Sequence, residues 1–197
     1  MTNQIDPRFE AIEQVMLRQR AVREFNDNPV DDALIERAIR AATFAPSGGN
    51  QQPWRFIVIR DRDTKAKLGV IFDELGRQIY GDHAPVRTPW QDVPVLIAAC
   101  TEEGKGGGGA SIFPVVQNLL FALHAIGLGS VLTTRWKARE AEVKPLLGLP
   151  DNMEAHAILP VGWPVRKYGR GRRQPVAEIT SREKYGVPWA EAPQTAV

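Results

Sequence analysis

Cysteine and histidine are scarce in this chain. One cysteine, Cys100, and three histidines among 197 residues exclude an intramolecular disulfide and a cysteine-built metal cluster. No H-x-x-H pair or carboxylate cluster suggests a metal either. Cys100 closes the apolar run VPVLIAAC, where a buried and inert thiol is the expected role. An excess of charge is lacking too. Lys and Arg total 25 against 23 Asp and Glu, a net charge of +2, and that balance argues against a dedicated nucleic-acid binder. No apolar run approaches the length that crosses a bilayer, and the opening MTNQIDPRFE has no basic-then-apolar signal pattern. A soluble, cytoplasmic protein with no membrane or nucleic-acid partner is the expectation. Internal repeats are absent.

What the chain does have is an ordinary globular balance, with 43% hydrophobic and 24% charged residues. That suffices for one domain with a sizeable core, or one compact fold carrying an extended arm. Asp6-Pro7 reads as the cap and first position of a helix with Phe9, Ile12, Val15 and Met16 on one side. Asp31 can cap a second helix, with Leu34, Ile35, Ala38, Ile39 and Ala42 at helical spacing. Trp54 to Ile59 predicts a strand, Leu68, Ile71, Phe72 and Leu75 a helix, and Val93 to Cys100 a buried strand. SIFPVVQNLLFALHAIGLG is apolar nearly all round and predicts a central helix covered on both sides. Val131 to Thr133 reads as a short strand, and Ala155 to Val161 as a fourth. Ala138 to Leu147 reads as a short helix that Pro145 should end early. From Pro164 on, the chain is basic, glycine-rich and without apolar pattern, so this tail should lie on another surface.

One dinucleotide-like motif fails on its context. GKGGGG at 104–109 satisfies G-x-G-x-x-G, but Thr101, Glu102 and Glu103 separate it from the strand. No acid follows in GLGSVLTTR at the spacing a ribose needs. A flexible loop is the better reading. The arginines are more informative. Arg18, Arg20 and Arg23 crowd RQRAVREF, and Arg166, Lys167, Arg170, Arg172 and Arg173 crowd the tail. Each cluster alone reads as a solvated face. Two clusters far apart in sequence can also converge on one phosphate, a task that suits arginine's planar fork. In FAPSGGNQQPWRF, Pro46 stops the helix, and Ser47 with the amides of Gly48 and Gly49 offers donors without bulk. Asn50 adds a donor and an acceptor. That mixture suits a flat heterocycle with an alternating polar edge, or an ordinary glycine-rich connection with Trp54 in the core. Asn118 and His124, lone polar groups in the apolar helix, read as satisfied buried side chains.

In four blocks, in the same order, the sequence from about Gln14 to Glu178 resembles the FMN-dependent nitroreductase family. RQRAVREF resembles its Arg-Arg-Ser-x-Arg-like block, and APSGGNQQPWRF its Pro-Ser-x-x-Asn-x-Gln-Pro-Trp block. VVQNLLFALHAIGLGSVLTTR is similar to the long central helix and Gly-Leu-Gly turn. LPVGWP followed by RGRRQPVAE is similar to the last strand and the arm carrying a phosphate-binding arginine. The resemblance implies an α+β fold of three-layer, α/β-like build, with a central mixed sheet flanked by helices. It implies a single FMN-binding domain over 1–197, with 164–197 as an arm embracing the partner of an intertwined homodimer. Carried over residue by residue, it implies that Arg20 and Arg23 hold the phosphate and ribityl chain, with Arg173 reaching the phosphate. Pro46, Ser47, Gly48 and Asn50 would line the flavin, and Thr133, Thr134 and Arg135 would supply largely backbone contacts near the ring. Gln19 and Ala21 depart from the family's first block, removing one charge and one hydroxyl; Arg18 and Arg172 are the candidates to compensate.

The activity so implied is that of an FMN-dependent oxidoreductase. It would take hydride from NADH or NADPH and deliver it to a small oxidised acceptor of nitroaromatic or quinone type, by a ping-pong mechanism. The flavin carries the chemistry and the protein supplies placement and electrostatics, so no side chain is nominated as catalytic. One rival is a flavin-binding or storage protein without turnover. Another is a flavin-fragmenting or dehalogenating relative of the same fold, for which a lid in the segment from Gly76 to Gln91 would speak.

Overall fold

The structure, a computed structural model, describes residues 6–105 and 109–189. Aspartates set three helix starts. Asp6 accepts the Arg8 amide at 2.8 Å ahead of α1 (Pro7–Arg18). Asp31 accepts Ala33 N at 3.0 Å ahead of α2 (Asp32–Ala42), and Asp61 accepts Thr64 N at 2.7 Å ahead of α3 (Arg62–Tyr80). Each satisfies an amide that a first turn leaves unbonded. α4 (Ile112–Ile126) closes at Gly127, whose φ of +99° lets the Leu128 amide reach back to Leu123 O at 2.9 Å. α5 (Glu140–Leu146) follows a 3-10 turn at Arg135–Arg139 and contains Pro145. The expected early end does not occur. Pro145 lies in the last turn, where one donor is lost, while Val143 and Leu147 are buried around it.

Strands β1 (Trp54–Ile59), β2 (Val95–Glu102), β3 (Gly129–Ser130) and β4 (Met153–Gly162) form one sheet in the order β1-β2-β4-β3. Every strand pair is antiparallel. This corrects the expected mixed sheet: among the described residues the parallel pairing is a single bridge, Ala21 to Ser130. The connection from β1 to β2 pairs a helix with an extended return, so it begins and ends at one end of the sheet. That parity makes β1 and β2 antiparallel.

β2 and β4 are buried on both faces, which is why they read as continuous apolar runs. Val95, Ile97 and Ala99 with Ala157, Leu159 and Val161 share a core with α2 and α4. Leu96, Ala98 and Cys100 with Ala155 and Ile158 share the other with α3, Trp90, Trp136 and Val143. Helix, sheet and helix make three layers. A bulge at His156, where the pairing steps from Ala99–Ala157 to Cys100–Ala155, sends Ala155 and Ala157 to opposite cores. His156 Nε2 shares a 2.7 Å hydrogen bond with Thr101 Oγ1. Burial pushes the Cys100 thiol up to about 12, so it is a packing residue rather than a nucleophile.

Pro160 cuts β3 short. Gly129 pairs with Gly162 and Ser130 with Val161, and Thr133 bridges Ile158 in the same register. Val131 falls opposite Pro160, which has no amide to donate. The expected strand at Val131 to Thr133 is therefore a two-residue strand ahead of it plus one bridge, and the gap between them opens onto a cleft.

Three parts of the chain lack cover. α1 buries none of its residues, and Phe9, Ile12 and Met16 are half exposed. α4 buries Val115, Val116, Leu119 and Leu123, yet Phe113, Gln117 and Ala125 are open, so one side lacks the expected cover. After Val165 nearly every described residue is exposed, including Val176 and Ile179 of the short α6 (Val176–Ile179), Tyr185 and Trp189. The rest of the tail, 190–197, lies outside the described residues, as do 1–5 and the glycines at 106–108 of the GKGGGG loop. Among the described residues no helix is long and apolar enough to cross a membrane, and no group of three His, Cys, Asp or Glu could hold a metal.

The sheet edge has no spare room. A Cβ on Gly129 would stand 2.6 Å from Val22, and one on Gly162 2.9 Å from Pro94 and 3.1 Å from Phe25. Gly129→Ala should therefore lower stability by about 1–3 kcal/mol, as overpacking does, seen as a lower urea midpoint. Gly169→Ala, where a Cβ meets nothing within 4 Å, should leave the midpoint in place.

Candidate functional site

The segment 21–26 is held extended from several sides. Val22 N donates to Ser130 O at 3.1 Å and Asn26 N to Trp163 O at 2.9 Å. Val165 N donates to Glu24 O at 3.2 Å, and Thr88 N to Arg23 O at 2.9 Å. Phe25 N completes the set, donating to Thr88 Oγ1 at 2.8 Å. Val22 and Phe25 enter the core, which leaves Arg20 and Arg23 half-buried beside a cleft.

The cleft has three connected regions. Arg20, Arg23, Arg166 and Tyr168 line one end, about 350 Å³. Arg23 continues into a middle of about 190 Å³ with Phe72, Tyr80, Thr134 and Arg135. A third region of about 330 Å³ lies among Gly76, Arg77, Val86, Arg87 and Arg135. Pro85 borders all three.

Positive charge dominates it. Arg87 pairs with Asp73, and Arg166 with Glu24 at 3.1 Å. Arg20, Arg23 and Arg135 form no ion pair among the described residues. Arg20 Nη1 donates to Gly169 O at 3.0 Å, which ties the cleft to the tail. Arg135 enters through a notch in α3: a Cβ on Gly76 would stand 2.7 Å from its Nη1. Its guanidinium carbon lies 3.7 Å from the Phe72 ring centroid and 5.6 Å from that of Tyr80. Its Nε is buried with no hydrogen-bond partner. Burial is the main cause of its lowered pKa. Arg87 is pushed down to about 10, by burial first and by Arg135 second. Like charges this close and this dry favour an anion.

Not every expected site residue is in this cleft. Thr134 lines it. Thr133 borders it, but its hydroxyl donates to Ile158 O at 2.6 Å and so serves the sheet. Arg173 donates Nη1 to Arg172 O at 2.8 Å, out in the tail. Arg18 Nε donates to Gln14 at 3.3 Å and Gln19 Nε2 to Arg20 O at 3.2 Å. Neither Arg18 nor Arg172 lines the cleft regions described above; Arg166 and Arg87 do. Arg87 was missed. Its signal was the stretch PVRTPW, two prolines holding an arginine extended between helix and strand.

Pro46, Ser47, Gly48 and Asn50 lie elsewhere. Gly49, Asn50 and Gln52 have φ of +56°, +53° and +49°, a strained left-handed conformation for the two non-glycine residues. Ser47 Oγ accepts Gln52 N at 3.0 Å, and Gly48 N donates to Ser111 Oγ at 3.2 Å, so that amide serves the fold. Ser111 directly precedes α4, and Ser130, which holds Val22, follows it. A 15-residue helix is about 22 Å long. Within one chain the loop and the arginines sit at its opposite ends.

The sequence that builds this antiparallel sheet, its two helical layers and the cationic cleft at its edge matches a family model. Residues 16–163 fit the Nitroreductase family, and the chain belongs to that family of oxidoreductases. An Archaeoglobus fulgidus protein with the provisional name NADH dehydrogenase/NAD(P)H nitroreductase is 28% identical over 153 residues, 74% of this chain and 81% of that one. Rat iodotyrosine deiodinase 1 is 30% identical over 177 residues, which cover 78% of this chain and 62% of the relative. The crystal structure of an oxidized iodotyrosine deiodinase bound to FMN and 3-iodo-L-tyrosine superposes with a TM-score of 0.75 at 25% identity, covering 88% of this chain and 98% of that one.

Three guanidiniums without acidic partners should bind simple anions. Inorganic phosphate at millimolar concentration should raise the melting temperature of flavin-free protein, and the double variant Arg20→Ala, Arg23→Ala should lose most of that rise.

Proposed function

We propose that this protein is an FMN-dependent oxidoreductase that uses NADH or NADPH to reduce a small oxidised acceptor of nitroaromatic or quinone type. The observation that carries this reading is the cleft itself: it is elongated and cationic, with Arg20 and Arg23 unneutralised at one end, Arg135 unneutralised towards the other, and an apolar stretch along Phe72 and Pro85 between them. A mononucleotide with a phosphate tail and a flat ring has that shape and charge. When bound, FMN supplies the hydride chemistry. Arg20 and Arg23 hold its phosphate and ribityl chain, and Arg173 reaches the phosphate from the tail. The backbone at Thr133 and Thr134 orients the ring edge, and Arg135 offsets negative charge that develops there. Phe72, Pro85 and Val86 keep water from that face. No side chain is needed as acid or base, because the acceptor's protons come from water.

The working unit in this reading is a homodimer of single-domain chains, each domain spanning 1–197. Pro46, Ser47, Gly48 and Asn50 line the flavin of the partner, because their own cleft lies at the far end of α4. The open apolar positions Phe9, Ile12 and Met16 of α1 and Phe113 of α4 support such a contact, with 164–197 embracing the partner. A cytoplasmic location goes with this reading. Reductive dehalogenation is the second reading, favoured by the similarity to iodotyrosine deiodinases; turnover of 3-iodotyrosine in place of nitro or quinone acceptors would select it. A flavin store would instead show no reoxidation by any acceptor.

The purified protein should be yellow, with one FMN per chain released on heating; a colourless protein that takes up no FMN sinks the reading. Arg20→Ala, Arg23→Ala and Arg173→Ala should each loosen FMN roughly ten- to a hundredfold, the size of one hydrogen bond to a charged group. Mixing an Arg23→Ala chain with an Asn50→Ala chain should restore one intact site per mixed dimer, whereas a site built within one chain would show no rescue. Donor and acceptor share one cleft, so initial rates should give parallel double-reciprocal lines. Intersecting lines would mean separate sites.

A further inference from the structure

We propose that the cleft region between α3 and Arg87 is an anion subsite that selects acceptors carrying a carboxylate next to a planar reducible group. This rests on the FMN reading of the neighbouring regions. Three side chains prepare the subsite. Arg135 reaches it past Gly76, with Phe72 beneath its guanidinium and Nε already buried. Arg87 approaches the same Phe72 ring, its guanidinium carbon 5.2 Å from the centroid. Arg77 stands at the rim. The ring that both guanidiniums share is itself fixed, stacked on Trp90 with centroids 4.4 Å apart. Asp73 holds Arg87 in place. One carboxylate against three guanidiniums leaves the region short of negative charge, and Glu74, the next acid along α3, is committed to Arg139.

The remaining walls narrow the ligand class. Ala84, Pro85, Val86 and Pro89 are apolar and suit a flat hydrocarbon face. Arg135 borders both this region and the middle of the cleft. An acid group held by Arg135 therefore leaves the rest of a short molecule beside the ring position. The pyrophosphate of a nicotinamide donor lies too far from its own reacting carbon to share that arrangement. Arginine's fork takes a carboxylate through two parallel hydrogen bonds, which a neutral hydroxyl cannot imitate.

The test compares 4-nitrobenzoate with 4-nitrobenzyl alcohol as acceptors for the FMN-loaded enzyme at saturating NADH. Reduction of either nitro group to nitroso consumes one NADH and one proton and releases water. The expected ratio of kcat/KM favours nitrobenzoate by at least about tenfold, the size of one charge-assisted hydrogen bond. Arg135→Gln should collapse that ratio toward one, and Arg135→Lys should keep part of it; any loss through its place beside the ring falls on both acceptors alike and cancels in the ratio. An unchanged ratio in Arg135→Gln overturns the proposal. A loss equal for both acceptors is that outcome, because Arg135 would then serve the ring alone. A second measurement needs no flavin: calorimetry on the flavin-free Arg20→Ala, Arg23→Ala chain, whose phosphate end no longer takes anions, should show benzoate binding and benzamide not. Equal binding of the two overturns the subsite. A colourless protein that still prefers benzoate fails the FMN reading alone.

Discussion

The close approach of segment 21–26 to Gly129 and Gly162 is the contact on which the site depends. Two glycines at the sheet edge admit Val22 and Phe25 where any side chain would collide. Once those two are in the core, the backbone of the whole segment recruits Ser130, Trp163, Val165 and Thr88 through hydrogen bonds. Those four residues come from β3, the end of β4, the tail and the loop after α3. One strand-like segment thus joins four parts of the chain beside the cleft, with Arg23 in it and Arg20 one residue ahead of it. A flexible arginine-bearing loop would have to be ordered at each binding event, at a cost in conformational entropy.

Charge in the cleft is held against the preference of the fold. Burial above all, and neighbouring guanidiniums after it, lower the pKa values of Arg87 and Arg135. The protein tolerates it by stacking both on one aromatic ring, which returns some cation–π attraction. Gly76 belongs to the same arrangement, since a side chain there would expel Arg135 from the notch. A helix interior normally disfavours glycine. Its presence in α3 is explained by the passage it leaves open, and sites of this kind commonly trade stability for function.

α4 acts as a spacer as well as a core element. Ser111 at its start binds the Ser47–Asn50 loop, and Ser130 beyond its end binds the arginine segment. Its length separates two groups of polar residues that a single flat ligand could not touch together from one chain. The same helix leaves Phe113 open, and α1 beside it leaves Phe9, Ile12 and Met16 open.

Local chemistry alone determined a large part of this protein. Aspartate caps, the proline after Asp6, the apolar runs of β2 and β4 and the glycine after α4 act within a few residues of themselves, so they are readable in the chain. The family followed from four motif blocks for the same reason. Tertiary structure decided the rest. Sheet direction depends on how connections return, which made the sheet antiparallel where a mixed one was expected. Pro160 acts across strands, on Val131, and moved a strand boundary thirty positions away. The His156 bulge shows only when β4 is paired with β2. Arg87 and Arg135 lie 48 positions apart, and only the Phe72 ring, a third element, makes them neighbours. The separation of Ser47 from Arg23 is likewise a property of the folded chain, because it is measured along α4 and not along the sequence.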